Sequence, residues 1–184
     1  METSLVLGSQ QRPMGLRFQE RLHNKDSDVS LLVDGVLGSS TGKLQVRGVA
    51  FKGFDLSGVD NFKNLVDRVE VGVSYASDRD DFFGTLRAKK KFAFGKGSGA
   101  GTVKLVAQAD MNKDRKVEKY GRAEVCSKVF NFTNKQDLKL KVGFGHKRIG
   151  VSSNFLQGPY GVVQENNWSL LTDFQKYWQV TYRL

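Results

Sequence analysis

Twelve basic residues fall on one side of a two-residue alternation that runs through most of this sequence. They are Arg17, Arg21, Lys43, Arg47, Arg87, Lys89, Lys91, Lys104, Lys128, Lys139, Lys141 and Arg183. Arginine offers a planar fork that grips a phosphate or carboxylate in two places, and lysine offers a mobile point charge. The chemistry open to such a set is reversible anion binding, so these residues are candidate anion-binding positions. Their spread over nearly every extended segment describes the coating of a surface and not one pocket. Asp34, Glu70 and Glu124 share the same parity, where they pair with some of the bases and weaken the field. The whole chain of 184 residues carries a formal charge of +10, so its natural partners are negatively charged.

Other chemistries fail on inspection. Gly38 to Lys43 ends like a phosphate loop, but the first glycine of that motif falls at Leu37, and Leu44 stands in place of the Ser or Thr. Gly97, Gly99 and Gly101 are spaced wrongly for a dinucleotide fingerprint and read as a flexible turn. Cys126 is the single cysteine, which excludes a disulfide framework and a cysteine-based zinc site; it reads as an inert small residue on the basic parity. His23 and His146 are too few for a histidine metal centre, and His146 beside Lys147 and Arg148 reads as a solvated turn. No nucleophile and base can be paired. The expectation is a protein that is not an enzyme, with no metal and no cofactor.

The elements that carry the bases are strands. Leu138, Leu140, Val142 and Phe144 oppose Lys139, Lys141, Gly143 and Gly145; Met14, Leu16, Phe18 and Leu22 oppose Gly15, Arg17, Gln19 and Arg21. Successive side chains of a strand point to opposite faces, which produces this pattern. Such runs predict twelve strands, near 3–9, 14–23, 29–38, 43–52, 68–77, 83–94, 102–111, 118–130, 137–146, 149–156, 160–170 and 174–184. Turn residues separate most of them, among them Asn24-Lys25-Asp26, Ser77 to Asp81, Asn112 to Asp114 and Gly158-Pro159. A short helix is expected within 54–67, after Asp60 as N-cap. No domain boundary is visible, and 1–184 reads as a single domain.

Twelve amphipathic strands must hide one face and satisfy two edges, and closing the sheet removes the edges. No stretch of eighteen apolar residues exists to form a spanning helix, whereas a tilted strand crosses a bilayer in about 9–11 residues. Twelve strands enclose a backbone radius of roughly 12 Å. Filling that interior would take many large apolar residues, yet the parity opposite the apolar one carries Arg, Lys and Gly. The reading is therefore an all-β protein, a single closed antiparallel transmembrane β-barrel of about twelve strands, greasy outside, with a water-filled basic lumen. Phe92, Phe94, Tyr160, Trp168, Phe174, Trp178 and Tyr182 suit the aromatic girdles at the two membrane surfaces. Lys90, Glu20 and Lys119 share parity with the apolar set and must lie near the rims, because a midplane lysine facing lipid costs about 2–4 kcal/mol.

Several segments resemble the chloroplast outer envelope pore protein 21 family. They are Met1-Glu2-Thr3-Ser4-Leu5, Leu86-Arg87-Ala88-Lys89-Lys90-Lys91-Phe92, Gln136-Asp137-Leu138-Lys139-Leu140-Lys141-Val142-Gly143 and Glu165-Asn166-Asn167-Trp168-Ser169. Their order and spacing match, as does the run from Trp168 through Trp178 to a terminal leucine; residues 23–66 and the Gly95–Gly101 loop match poorly. The resemblance implies an anion-selective β-barrel channel of the plastid outer membrane that passes triose phosphates, phosphoglycerate and phosphate, with ATP as a regulatory ligand. Within the matched motifs it carries over Arg87, Lys89, Lys91, Lys139 and Lys141. A Phe-x4-Lys pattern tied to nucleotide in that family falls here on Leu170 and Gln175; Phe130 and Lys135 fit the spacing elsewhere.

The N-terminus carries neither an export signal nor an Arg-rich transit sequence, which suits a barrel inserted into a plastid or mitochondrial outer membrane. Only the resemblance selects plastids. Two alternatives compete. A soluble lipocalin-like barrel for one anionic ligand requires an apolar interior. A nucleic-acid-binding domain requires bases gathered in one patch with stacking aromatics, and the spread of the bases argues against a nucleic-acid partner.

Overall fold

Alternating sequence becomes extended chain wherever one side chain in two can be hidden from water or lipid, and here that happens twelve times. A computed structural model of the protein describes residues 2–8, 14–39, 42–58, 65–95, 101–133, 136–148 and 155–184. Its strands are Glu2–Gly8 (β1), Met14–Asn24 (β2), Val29–Gly38 (β3), Leu44–Asp55 (β4), Arg68–Ala76 (β5) and Asp81–Phe94 (β6). They continue with Gly101–Asn112 (β7), Val117–Thr133 (β8), Gln136–Arg148 (β9), Phe155–Gln164 (β10), Trp168–Thr172 (β11) and Trp178–Arg183 (β12). Each strand pairs antiparallel with its neighbours in sequence, and β1 pairs with β12 to close the ring. No edge remains. Among the described residues there is no helix.

The sheet is a single layer, so a side chain screened from solvent can only point into the ring. Asp34 is 6% exposed, Glu70 7% and Glu124 6%. Their sequence neighbours of the other parity are open: Val71 is 48% exposed and Val125 44%. The barrel is therefore apolar outside and carries its charges inside, the arrangement of a protein whose solvent on the outer wall is lipid. Closure is what such a solvent demands, since an unpaired backbone group in hydrocarbon costs several kcal/mol.

Up to β9 the strands agree with the alternation to within a few residues, but the last three are divided differently. Gly158 and Pro159 do not form a turn: they lie inside β10, opposite Gly145 and Phe144. Gly145 and Gly158 both hold positive φ, 119° and 105°, so the irregularity that suggested a turn is absorbed within the β9–β10 ladder. Most of the strand expected at 149–156 lies outside the described residues. The expected strand 160–170 is broken at 165–167, where the Glu165 N–H donates to the Trp168 carbonyl at 2.9 Å. Phe174 to Tyr177 keep the alternation of β12 yet form the β11–β12 turn. There the Asp173 carboxylate accepts the N–H groups of Gln175 and Tyr177, at 2.8 and 2.9 Å, and Phe174 takes φ 62°. An aspartate that satisfies backbone donors in this way competes with the ladder and wins. Of the helix expected within 54–67, residues 59–64 lie outside the described residues; Phe54 and Asp55 belong to β4.

Candidate functional site

The inner wall is built strand by strand from the parity that the register brings together. One rim carries the residue 2 and residue 183 ends of the chain, with the β2–β3, β4–β5, β6–β7, β8–β9 and β10–β11 connections; the other rim carries the remaining turns. We call them the terminal rim and the far rim.

Eleven of the twelve expected bases sit within strands on the inward parity, and each follows from its register partners. Arg17 forks onto Asp34, Nε to Oδ1 at 2.8 Å and Nη2 to Oδ2 at 2.5 Å. Arg47 stands opposite Asp34 and Ala76. Arg87 and Lys89 both reach Glu70, Arg87 Nη1 at 3.3 Å. Lys91 lies directly opposite Lys104, and Lys128 opposite Lys139, with Asp137 at 2.7 Å from Lys128 and 3.6 Å from Lys139. Lys141 Nζ donates to Gln164 Oε1 at 2.7 Å. Arg21 and Arg183 border a cavity of about 400 Å³ at the terminal rim together with Glu2, Gln19 and Glu20, and Arg183 approaches Glu2 at 3.7 Å. Lys43 is placed otherwise: it precedes β4 in the far-rim turn and is exposed there. Most of the wall's strand-borne bases (Arg21, Lys89, Lys91, Lys104, Lys128, Lys139, Lys141 and Arg183) lie toward the terminal rim.

Among the described residues the inner wall carries three further bases. Arg68 binds Asp28 at 2.6 Å and Glu70 at 3.1 Å. Lys147 binds Glu124 at 3.1 Å. Arg122 lies two residues before Glu124 and so shares its face. The parity of Arg68 and Arg122 relative to Glu70 and Glu124 was available as a signal; Lys147 was hidden because 147–148 read as a solvated turn.

Part of the wall is apolar. Leu156, Tyr160, Val162 and Tyr177 form a buried cluster against Leu171 on β10 to β12. Tyr160 is therefore not a girdle residue: it is 0% exposed, points inward and donates its hydroxyl proton to Glu124 at 3.1 Å. Its ring lies over Gly143, where an added Cβ would come within 2.4 Å of it. The other expected girdle residues face outward. Phe92, Phe94, Trp168 and Tyr182 stand near the terminal rim, with Phe54 beside them; Phe174 and Trp178 stand near the far rim with Phe82.

The charges of apolar parity keep to the rims. Lys90 pairs with Asp67 at 2.6 Å, just beyond the start of β5, and lies over the Phe92 ring at 5.4 Å from its centre. Hydrogen bonds from the Lys90 ammonium and the Lys91 N–H hold the Asp67 carboxyl below the usual carboxylate range. Glu20 lies one residue past the last one that β1 reaches, and Lys119 two residues into β8.

A closed antiparallel barrel with lipid-facing apolar residues and an ion-paired, base-rich inner wall defines a transmembrane pore. The chain belongs to a particular family of such pores, the chloroplast outer envelope pore protein OEP21 family, whose profile matches residues 3–184. It is 31% identical to outer envelope pore protein 21, chloroplastic, of Pisum sativum, and 25% identical to outer envelope pore protein 21A, chloroplastic, of Arabidopsis thaliana. Both matches cover the full length of both chains. The protein is accordingly a pore of the plastid outer membrane. A lipocalin-like interior is not what the inner wall presents.

Proposed function

We propose that the pore is anion-selective and rectifying, that it passes triose phosphates, phosphoglycerate and inorganic phosphate, and that ATP acts on it as a regulatory ligand. The observation that carries this reading is the placement of eleven expected bases on the inward parity, with Arg68, Arg122 and Lys147 beside them. A backbone radius of about 12 Å less about 5 Å of side chain leaves a lumen near 7 Å in radius. Physiological salt screens charge over about 8 Å, so the wall is felt across the whole section. Cations are excluded and phosphate-bearing anions concentrated, and several weak sites let an ion leave as readily as it enters.

One like-charged pair supports the same reading. Lys91 stands opposite Lys104, which costs stability by itself, whereas Lys128 and Lys139 share Asp137. A dianion between Lys91 and Lys104 offsets that cost. Rectification follows from the concentration of bases toward the terminal rim, while Leu156, Tyr160 and Tyr177 occupy the wall toward the far rim. The nucleotide pattern transferred by resemblance gives no help in locating ATP. Leu170 is an outward residue of β11 and Gln175 lies in a turn, while Lys135 lies outside the described residues.

The test is a planar-bilayer recording in a salt gradient. The wild-type reversal potential is expected to lie toward the chloride equilibrium. Exchanging Arg87, Lys89 and Lys91 together for glutamine should move it back toward zero, and ATP should reduce the wild-type current. An unchanged reversal potential in the triple variant would remove these side chains from the conduction path.

A further inference from the structure

We propose that Glu70 is a resident counter-anion, seated in an anion cradle made by Arg68, Arg87 and Lys89, which a passing phosphate displaces; the proposal rests on the anion-channel reading. Register places Arg68 opposite Lys89 and Glu70 opposite Arg87 on the inner wall. Glu70 Oε1 accepts from Lys89 and, at 3.1 Å, from Arg68 Nε; Oε2 accepts from Arg87 Nη1 at 3.3 Å. One carboxylate thus gathers three cations. Counting Asp28 behind Arg68, three positive groups face two negative ones.

What distinguishes this cluster from an ordinary ion pair is that both arginines are anchored from outside it. Arg87 stacks on the Phe51 ring at 4.4 Å and donates from Nε to Gln108 Oε1 at 3.0 Å. Phe51 can lie there because its neighbour is Gly72, where a Cβ would come within 2.5 Å of the ring. Arg68 is held by Asp28 at 2.6 Å, with its guanidinium passing over Gly53, where a Cβ would fall 2.2 Å from Nη2. The two forks therefore keep their aim when the Glu70 carboxylate swings away. By contrast, Arg17 commits both faces of its fork to Asp34.

The exchange favours phosphate over monovalent anions. A carboxylate brings one charge and two oxygens, whereas a phosphate monoester brings about 1.5 to 2 charges and three oxygens to the same three donors. Chloride, with a single charge and no fork-matching geometry, displaces Glu70 poorly. Glu70 would thus act as a selectivity residue, setting how strongly phosphate is held on its way through.

The test measures block of chloride current by inorganic phosphate in planar bilayers, with folded barrel confirmed by heat-modifiable migration on gels. Glu70→Gln removes the resident charge. It should shift the reversal potential further toward the chloride equilibrium and lower the half-blocking phosphate concentration about ten- to thirtyfold, the factor produced by one unit charge about 4 Å from a phosphate of about 1.5 to 2 charges in water-like surroundings. Glu70→Asp keeps the charge but withdraws the carboxylate by one methylene. It should shift the chloride reversal potential less than Glu70→Gln does and still tighten the phosphate block. Phosphate block unchanged in both variants, or weakened in either, overturns the proposal. Should Glu70→Gln fail to fold, the Glu70→Asp comparison decides alone. A wild-type reversal potential on the cation side would instead overturn the anion-channel reading, and the change in block on Glu70→Asp is read independently of it.

Discussion

Gly143 and Tyr160 show how single residues shape the inner wall. They are register partners on β9 and β10, and the missing side chain of one is the space taken by the ring of the other. Gly143→Val would set a Cβ within 2.4 Å of the Tyr160 ring and 2.9 Å of the Ala123 carbonyl oxygen. The ring must then leave its place and give up its hydrogen bond to Glu124. We expect a loss of about 1–3 kcal/mol, the usual range for overpacking a filled site, measured by urea unfolding of the barrel in vesicles. Combining Gly143→Val with Tyr160→Ala should recover part of that loss, since the double variant removes the clash it creates.

The same pair explains where residue-level reading of the sequence succeeded and where it did not. Hydropathy tells the two faces of a strand apart only when they differ. On β9 they do, with Leu140 and Val142 against Lys139 and Lys141, and these bases were assigned to the inner face. On β10 both faces are apolar or small, Tyr160 and Val162 against Gly161 and Val163, so an inward tyrosine passed for a girdle aromatic. The ion pairs were legible only as shared parity. That Glu70 collects three cations depends on register between β5 and β6, which alternation alone does not supply.

At the level of elements, the strands were read from their period and their limits from turn chemistry, and the second is where errors gathered. Asp173 is instructive. Its carboxylate accepts backbone N–H groups from Gln175 and Tyr177, and these bonds, that from Gln175 foremost, hold it below the usual aspartate range. A carboxyl that is more acidic folded than unfolded stabilises the fold above its unfolded value, and that contribution is lost as pH falls through the lowered one. The β11–β12 turn is thus expected to be fully capped at neutral pH and to loosen in the acid range. Each bond is worth about 0.5–1.5 kcal/mol, so Asp173→Asn should lower stability at pH 7 by about 1 kcal/mol. The gap between variant and wild type should close as the pH is taken below the carboxylate range, which urea titrations at a series of pH values would follow. Because Tyr177 is both anchored to Asp173 and packed against Tyr160, the turn and the apolar inner cluster stand or fall together.

The molecule as a whole is organised by one inversion, hydrocarbon outside and charge inside, and Cys126 offers a direct check on it. It lies on the inward parity of β8, opposite Lys141 and Thr102. A membrane-impermeant anionic thiol reagent added to the aqueous phase should reach it, drawn by the surrounding lysines, and reduce the single-channel current; a reagent confined to the bilayer should not. Cys126→Ser should abolish the effect. A current unmoved by the aqueous reagent in a barrel of proven reactivity would mean that Cys126 does not border the path.

Closure through β1 and β12 has a consequence for biogenesis. Ser4 to Gly8 pair with Gln179 to Arg183, and the Leu184 N–H donates to the Thr3 carbonyl at 3.0 Å. β1 therefore waits for residues some 175 positions later, on the order of the longest separation that these 184 residues allow. No hairpin-by-hairpin entry into the bilayer can seal the ring before that partner leaves the ribosome. Until then the nascent polypeptide exposes a greasy outer face and two unmated borders, each an unpaired strand edge left open to wrong partners.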